Sequence, residues 1–151
     1  MDEIKKNMLL TFKSSAIADD ETNDGIEFVT PAELVVKNNK YYITFEDIGD
    51  LDEAPAKSTL KIDSDKVTLL RYGLTNSQMI FEQGKKHTGN YQTPYGNVSL
   101  GVFSDDLKIN ITEKGGSLDL SYGIYFEDMI SHYNKLSISL NEVTKDWFPK
   151  A

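Results

Sequence analysis

Cysteine is absent from the 151 residues of this chain, which removes disulfides, thiol catalysis and thiolate metal sites together. Proline is scarce, with 4 residues beside 10 glycines, while 39% of the chain is hydrophobic and 26% charged. Collagen-like and disordered readings therefore have no compositional support, and a packed globular domain is expected. Positive charge also runs short: 16 lysines and arginines face 24 carboxylates, a net charge of −8. Such a field repels phosphate backbones and anionic bilayers, so neither nucleic acid nor membrane is expected as a partner. No apolar run approaches the about 18 residues of a spanning helix. The N-terminal stretch through Met8-Leu9-Leu10-Thr11-Phe12-Lys13 begins with acids and is broken by Thr11 and Lys13. That is no signal-peptide pattern, and the cytoplasm is the expected compartment.

Sequence motifs for chemistry are missing as well. Nucleophile elbows of the G-x-S-x-G type, phosphate-binding G-x-x-x-x-G-K-[ST] loops and G-x-G-x-x-G dinucleotide fingerprints do not occur. His87 and His132 are the whole histidine inventory and lie far apart, without H-x-E or H-E-x-x-H spacing. Asp20-Glu21-Thr22-Asn23-Asp24-Gly25 mimics the start of an EF-hand loop, but Thr22 holds the third ligand position and Pro31 the twelfth, where Glu is required. The acids Asp47, Asp50, Asp52 and Glu53 read as a solvated loop. No metal, cofactor or catalytic residue is expected, and enzyme activity is not the preferred reading.

What is present is a period of two, repeated along most of the chain between turn residues. Leu34-Val35-Val36 and Tyr41-Tyr42-Ile43-Thr44-Phe45 flank Asn38-Asn39, a two-residue turn with both asparagines at positive φ. That register pairs Val36 with Tyr41 and Leu34 with Ile43. Around Ser64-Asp65 the same logic pairs Ile62 with Val67, Leu60 with Leu69 and Ser58 with Arg71. Thr93-Pro94-Tyr95-Gly96 fits a type I turn. A long hairpin joins Leu107, Ile109 and Ile111 to Leu118, Leu120 and Tyr122 across Lys114-Gly115-Gly116-Ser117, and Leu136, Ile138 and Leu140 close the pattern. Phe126, Met129, Ile130 and Tyr133 have helical spacing, so a helical turn competes with a hairpin over 126–133. No helix long enough for a parallel crossover appears between strands. About 8–10 antiparallel strands with short connections predict an all-β, single closed up-and-down barrel. It forms one domain over 1–151, with 144–151 as a C-terminal tail.

The run Asn76-Ser77-Gln78-Met79-Ile80-Phe81-Glu82-Gln83-Gly84-Lys85-Lys86-His87, continuing through Tyr91-Gln92-Thr93-Pro94-Tyr95-Gly96, resembles the YwiB-like family. Supporting matches are Asn39-Lys40-Tyr41-Tyr42-Ile43, Thr59-Leu60-Lys61-Ile62, Lys66 to Arg71, and Ser131 with Asn134-Lys135-Leu136. The likeness extends from about Lys6 to Leu140. This is a group of small bacterial proteins known mainly as a domain of unknown function. The resemblance implies a calycin-like β-barrel, the general shape of lipocalins and fatty-acid-binding proteins. It brings no substrate, cofactor or catalytic residue, and a barrel alone does not specify function.

Arg71 is the sharpest candidate. The hairpin register places it on the apolar face, where a guanidinium can receive a carboxylate by a bidentate, charge-assisted pair. Near a strand end it can equally snorkel to the rim. Tyr91, Thr93 and Tyr95 around Pro94 either offer a ligand stacking surface and hydroxyls or simply cap the barrel end. Ser77 and Gln78 read as polar contacts or as ordinary strand residues. His87, after Lys85 and Lys86, would need an orienting acid to act as a base. Trp147-Phe148 reads as a partner handle or as packing across the barrel end. The expectation is a small, partly apolar ligand held at one end of the barrel by Arg71, Ser58, Tyr91, Thr93 and Tyr95. The alternative is a structural or protein-interaction domain with a side-chain-filled barrel and a dimer or partner contact on its outer face. Val35, Tyr42, Leu70 and Ile80 are apolar at outward positions there.

Overall fold

Alternating apolar residues become strands almost everywhere in the computed structural model. It describes residues 3–18, 21–22, 25–47, 56–73, 76–94, 96–126 and 129–143, without the side chains at 17, 18, 21, 22, 47, 56, 93, 131 and 132. The elements are β1 (Ile4–Ala18), β2 (Glu21–Thr22), β3 (Ile26–Lys37), β4 (Lys40–Asp47), β5 (Ala56–Asp63), β6 (Lys66–Tyr72), β7 (Asn76–Glu82), β8 (Lys86–Thr93), β9 (Gly96–Thr112), β10 (Gly115–Phe126) and β11 (Met129–Glu142). The two-residue β2 pairs with the end of β1 inside the β1–β3 connection. The other ten strands run antiparallel in chain order, and β11 returns to β1, from Met8↔Glu142 to Ile17↔Tyr133. Closure brings β11 beside β1, so each of the ten strands has a hydrogen-bonded neighbour on both sides over part of its length.

Turn chemistry sets the register. Asn38 and Asn39 take φ of 54° and 64°, and Val36 meets Tyr41 and Leu34 meets Ile43 as expected. Two left-handed residues in succession match the twist of the flanking strands. Across Ser64-Asp65, with Ser64 at φ 59°, the pairs Ile62↔Val67, Leu60↔Leu69 and Ser58↔Arg71 form. One turn is displaced from its expected place. The β9–β10 connection is Glu113-Lys114, with Thr112 opposite Gly115, so Gly115 and Gly116 belong to β10. The helical alternative at 126–133 gives way to a hairpin in which Phe126 pairs with Met129 and Tyr125 with Ile130. Isolated short helices are marginal, whereas β10 and β11 already hold each other for many residues on either side.

Inward positions form one core. Met8, Leu10, Leu34, Ile43, Leu60, Val67, Phe81 and Val102 have no or almost no accessible surface, and Leu118, Leu120, Ile138 and Leu140 continue it around the ring. Burying each such side chain stabilises the fold by about 1.5–3 kcal/mol. Outward positions on the same strands carry Lys5, Asn7, Lys13, Glu33, Lys108 and Asp119, all exposed. Val35, Tyr42, Leu70 and Ile80 do lie among the outward positions, yet each is half-buried. Two register shifts, at Ser121/Tyr122 against β9 and Ile124/Tyr125 against β11, each insert one extra residue without reversing the inward face of β10.

Candidate functional site

Because β-strand side chains alternate, paired positions on successive strands share one face. The row Phe45↔Ser58↔Arg71↔Ser77↔Tyr91 crosses β4 to β8 on the inner face. Arg71, the chain's only arginine, stands one residue before the end of β6. Ser58 is buried, while Arg71, Ser77 and Tyr91 are half-buried. The Arg71 Nε atom is itself buried, and Arg71 already takes part in a contact with its surroundings. Tyr95, the side chains of Thr93 and His132, Asp50, Asp52, Glu53 and the Trp147-Phe148 pair lie outside the described residues.

The opposite side of the ring is of another character. Phe12 of β1 and Phe28 of β3 stack with centroids 4.8 Å apart, and Phe45 leans on them at 6.3 and 6.4 Å. Toward the ends of β3, β10 and β11, the inward side of the register carries Ile26, Phe126 and Met129, which keep 62%, 48% and 75% of their surface accessible. Inward apolar groups that stay this wet are unusual in a packed barrel. Polar groups on this wall satisfy one another: burial raises the Tyr122 phenol, while a hydrogen bond with Asn134 offsets part of the effect. Alternation placed Phe126 on the inward face of its strand but did not single out Phe12, Phe28, Ile26 or Met129, because nothing local says which inward residues stand above the filled core.

The basic cluster disperses. Lys85 Nζ lies 3.2 Å from Glu82, Lys86 Nζ sits 4.7 Å above the Tyr125 ring, and His87 Nε2 lies 3.0 Å from Glu82 Oε1. The His87 and Lys85 hydrogen bonds hold the Glu82 carboxyl below its ordinary range. An orienting acid for His87 therefore exists, across a turn that spacing could not foresee. Among the described residues no group of three or more histidines or carboxylates gathers to hold a metal. Ser104 is fully buried, and its Oγ has no hydrogen-bond partner among the described residues. Its backbone accepts from Gly84 N at 2.8 Å, which ties the β7–β8 connection to β9.

On the outer face, the Tyr133 hydroxyl donates a hydrogen bond to Asp105, the extra residue of β9. That bond, with burial and neighbouring carboxylates, pushes the Tyr133 phenol up to about 12. A raised tyrosine favours the fold fully below the ordinary value of 10, and this contribution fades as pH climbs through about 12. Tyr133→Phe is expected to delete a phenol that titrates above the ordinary range in an absorbance titration at 295 nm. Loss of an ordinary phenol near 10 instead would contradict the pairing.

Four clefts are outlined by described residues, and three of them touch the row or the apolar wall at one residue each: Ile26, Phe45 and Ser77. The two largest, about 450 Å³ each, are lined by Lys13, Asp119 and Lys135 among others and, near the β5–β6 turn, by Ser64, Gln83 and Leu107. Neither gathers a set of side chains with a common chemistry.

Comparison with known proteins agrees with the barrel. The chain is 25% identical over 125 residues to "Uncharacterized beta-barrel protein YwiB" of Bacillus subtilis (strain 168), spanning 83% of this chain and 87% of that protein. The crystal structure of ywiB protein from Bacillus subtilis superposes with a TM-score of 0.80 at 21% identity, covering 93% of this chain and 94% of that one. That likeness shows the fold. Residues 10–138 match "Domain of unknown function (DUF1934)", and with most of its length inside that match the chain belongs to the DUF1934 family.

Proposed function

We propose that this protein binds a small, partly apolar molecule at the end of the barrel where Arg71 lies, without covalent chemistry. The observation that carries the reading is the two-sided interior at that level. A polar row of Ser58, Arg71, Ser77 and Tyr91 on β5–β8 faces a wall of Phe12, Phe28, Ile26, Phe126 and Met129. Below the row Leu60, Ile62, Val67 and Phe81 fill the barrel, so the site is a cup at one end rather than a channel. Convergent polar groups within an apolar concavity are the usual make-up of small-molecule sites. The outer face supports a water-facing barrel, since exposed lysines and carboxylates occupy positions that would contact lipid in a membrane barrel. Thr93 and Tyr95, two and four residues after Tyr91 in the sequence, are proposed as further contacts of the same ligand.

Protein purified gently from its native host and sprayed from ammonium acetate should carry an added small-molecule mass that vanishes on denaturation. Bare protein alone, in preparations never exposed to detergent or organic solvent, would count against a resident ligand. A second reading, protein interaction through the outer face, draws on the exposed outward side chains Val29, Tyr72 and Ile130. A clean dimer mass in the same spectrum would favour it.

A further inference from the structure

We infer that the outer face of β6–β8 carries a binding site for a neutral saccharide, distinct from the cup proposed above. The site is a cleft of about 210 Å³ lined by Leu70, Tyr72, Asn76, Gln78, Asn90 and Gln92, with Ser77 between two of them. Of the four clefts described above, it is the one with no charged residue in its lining. Register explains how its polar groups gather. Leu70, Gln78 and Asn90 stand opposite one another on β6, β7 and β8, and Asn76 stands opposite Gln92 two positions along the same face. Four carboxamides thus form a grid, spaced about 5 Å across the strands and about 7 Å along them. On β9, Asn97 opposite Gln92 and Ser99 opposite Asn90 are exposed and continue this uncharged polar surface. The sequence around it is equally selective. The chain has 24 carboxylates, yet only Glu82 lies between Asp65 and Asp105.

The class of ligand follows from what these groups can and cannot match. A carboxamide offers an acceptor oxygen and two N–H donors, which suits a hydroxyl that both donates and accepts. Asn76 is already oriented: its Oδ1 accepts from Gly73 N at 3.2 Å, and its Nδ2 donates to Gln92 Oε1 at 3.4 Å. That bond engages the Gln92 oxygen and leaves its amide N–H groups for a ligand. Among the described residues the side-chain amides of Gln78 and Asn90 make no hydrogen bond. Tyr72, 53% exposed, adds an aromatic ring to the cleft. A pyranose carries the complementary set, hydroxyls around its edge and a face of C–H groups that packs on an aromatic ring. An ion entering the cleft would give up hydration with no countercharge in the lining. A hydrocarbon would cover the carboxamides and leave them unpaired. The continuation onto β9 extends the surface beyond one sugar ring, so a short oligosaccharide is the fitting occupant.

The test titrates the full-length, isotope-labelled protein with cellotetraose, maltotetraose and chitotetraose, and with tetragalacturonate as the charged counterpart, following chemical shifts. At least one neutral tetrasaccharide should move the side-chain amide signals of Gln78, Asn90 and Gln92, with a dissociation constant of about 1 mM as suits a shallow, open cleft. Tetragalacturonate should bind about tenfold more weakly or not at all. Tyr72→Ala should weaken the neutral sugar about tenfold, while Tyr72→Phe, which keeps the ring, should retain most of the binding. Gln78→Ala should weaken it about threefold or more, and Glu33→Gln, in a different outer cleft, should leave it unchanged. If Tyr72→Ala fails to fold by circular dichroism, Gln78→Ala and the shift map decide. No shift at Gln78, Asn90 and Gln92 with any neutral sugar overturns the site. Tetragalacturonate binding as well as the neutral sugars overturns the ligand class. Shifts at these residues that change on dilution without sugar identify a second copy of the chain as the occupant and overturn the saccharide. None of these outcomes bears on the cup inside the barrel, which is tested separately by the native mass spectrum.

Discussion

Phe81→Ala is expected to cost about 3–5 kcal/mol of folding stability, read as a lower midpoint in urea with an unchanged slope. Phe81 has no accessible surface, its ring lies 4.9 Å from that of Tyr122, and it stands opposite Val67 in the β6–β7 pairing. Its partners sit on strands that are each hydrogen-bonded on both sides, so they cannot collapse into the space left behind. The cost therefore includes lost transfer energy and a residual cavity. Set against a usual total of about 5–15 kcal/mol, the variant should sit near the edge of folding. A loss below about 1 kcal/mol would mean that this level of the barrel is loosely filled, which would also weaken the view of the site as a cup with a solid floor.

Gly116→Ala should be at least as damaging, at about 3 kcal/mol or more, or should prevent accumulation of folded protein. Gly116 holds φ 139°, and an added Cβ would lie 1.8 Å from the Asn110 carbonyl oxygen. Its neighbour Gly115, at φ 111°, is in the same position against the Leu140 carbonyl at 2.2 Å. Both obstacles are backbone of the flanking strands β9 and β11, so no side chain can swing aside. The expectation is checked by comparing soluble yield and thermal midpoint with Ser117→Ala, one residue on and half-buried. Equal midpoints for the two variants would show that β10 begins with a slack turn rather than with strand packed between two partners.

That second case shows how turn chemistry misleads. Two adjacent glycines ordinarily mark a turn, and Lys114-Gly115-Gly116-Ser117 invites that reading. Here the turn is made by Glu113-Lys114, and the glycines serve close approach between strands instead. The competing helix over 126–133 failed for a related reason. Phe126, Met129, Ile130 and Tyr133 repeat at helical spacing, but the register shift at Ile124/Tyr125 puts one extra residue into β11, and an inserted residue scrambles a period of two. The Asn38-Asn39 and Ser64-Asp65 hairpins were legible because turn and alternation agreed, and the pairing of Ser58 with Arg71 followed from that agreement.

The Glu82–His87 contact and the Tyr133–Asp105 hydrogen bond were not legible at all. The first bridges a connection whose geometry depends on a link to Ser104 of β9. The second joins β9 to β11 across β10 at an inserted residue. Periodicity reports which face a residue occupies, not which distant strand will stand beside it.

By itself the order of amino acids determined the strand class, the antiparallel pairing of neighbours and the inward face of each hairpin, because side-chain alternation and turn preference act over a few residues. Closure was already expected from the number of strands and their short connections, and tertiary structure decided its stagger, with Met8 opposite Glu142 and Ile17 opposite Tyr133. It also decided that Arg71 shares a row with Ser77 and Tyr91, and that Phe12 and Phe28 stack inside the ring. Those relations depend on stagger summed around the whole barrel, and such a sum is fixed only when the last strand finds the first.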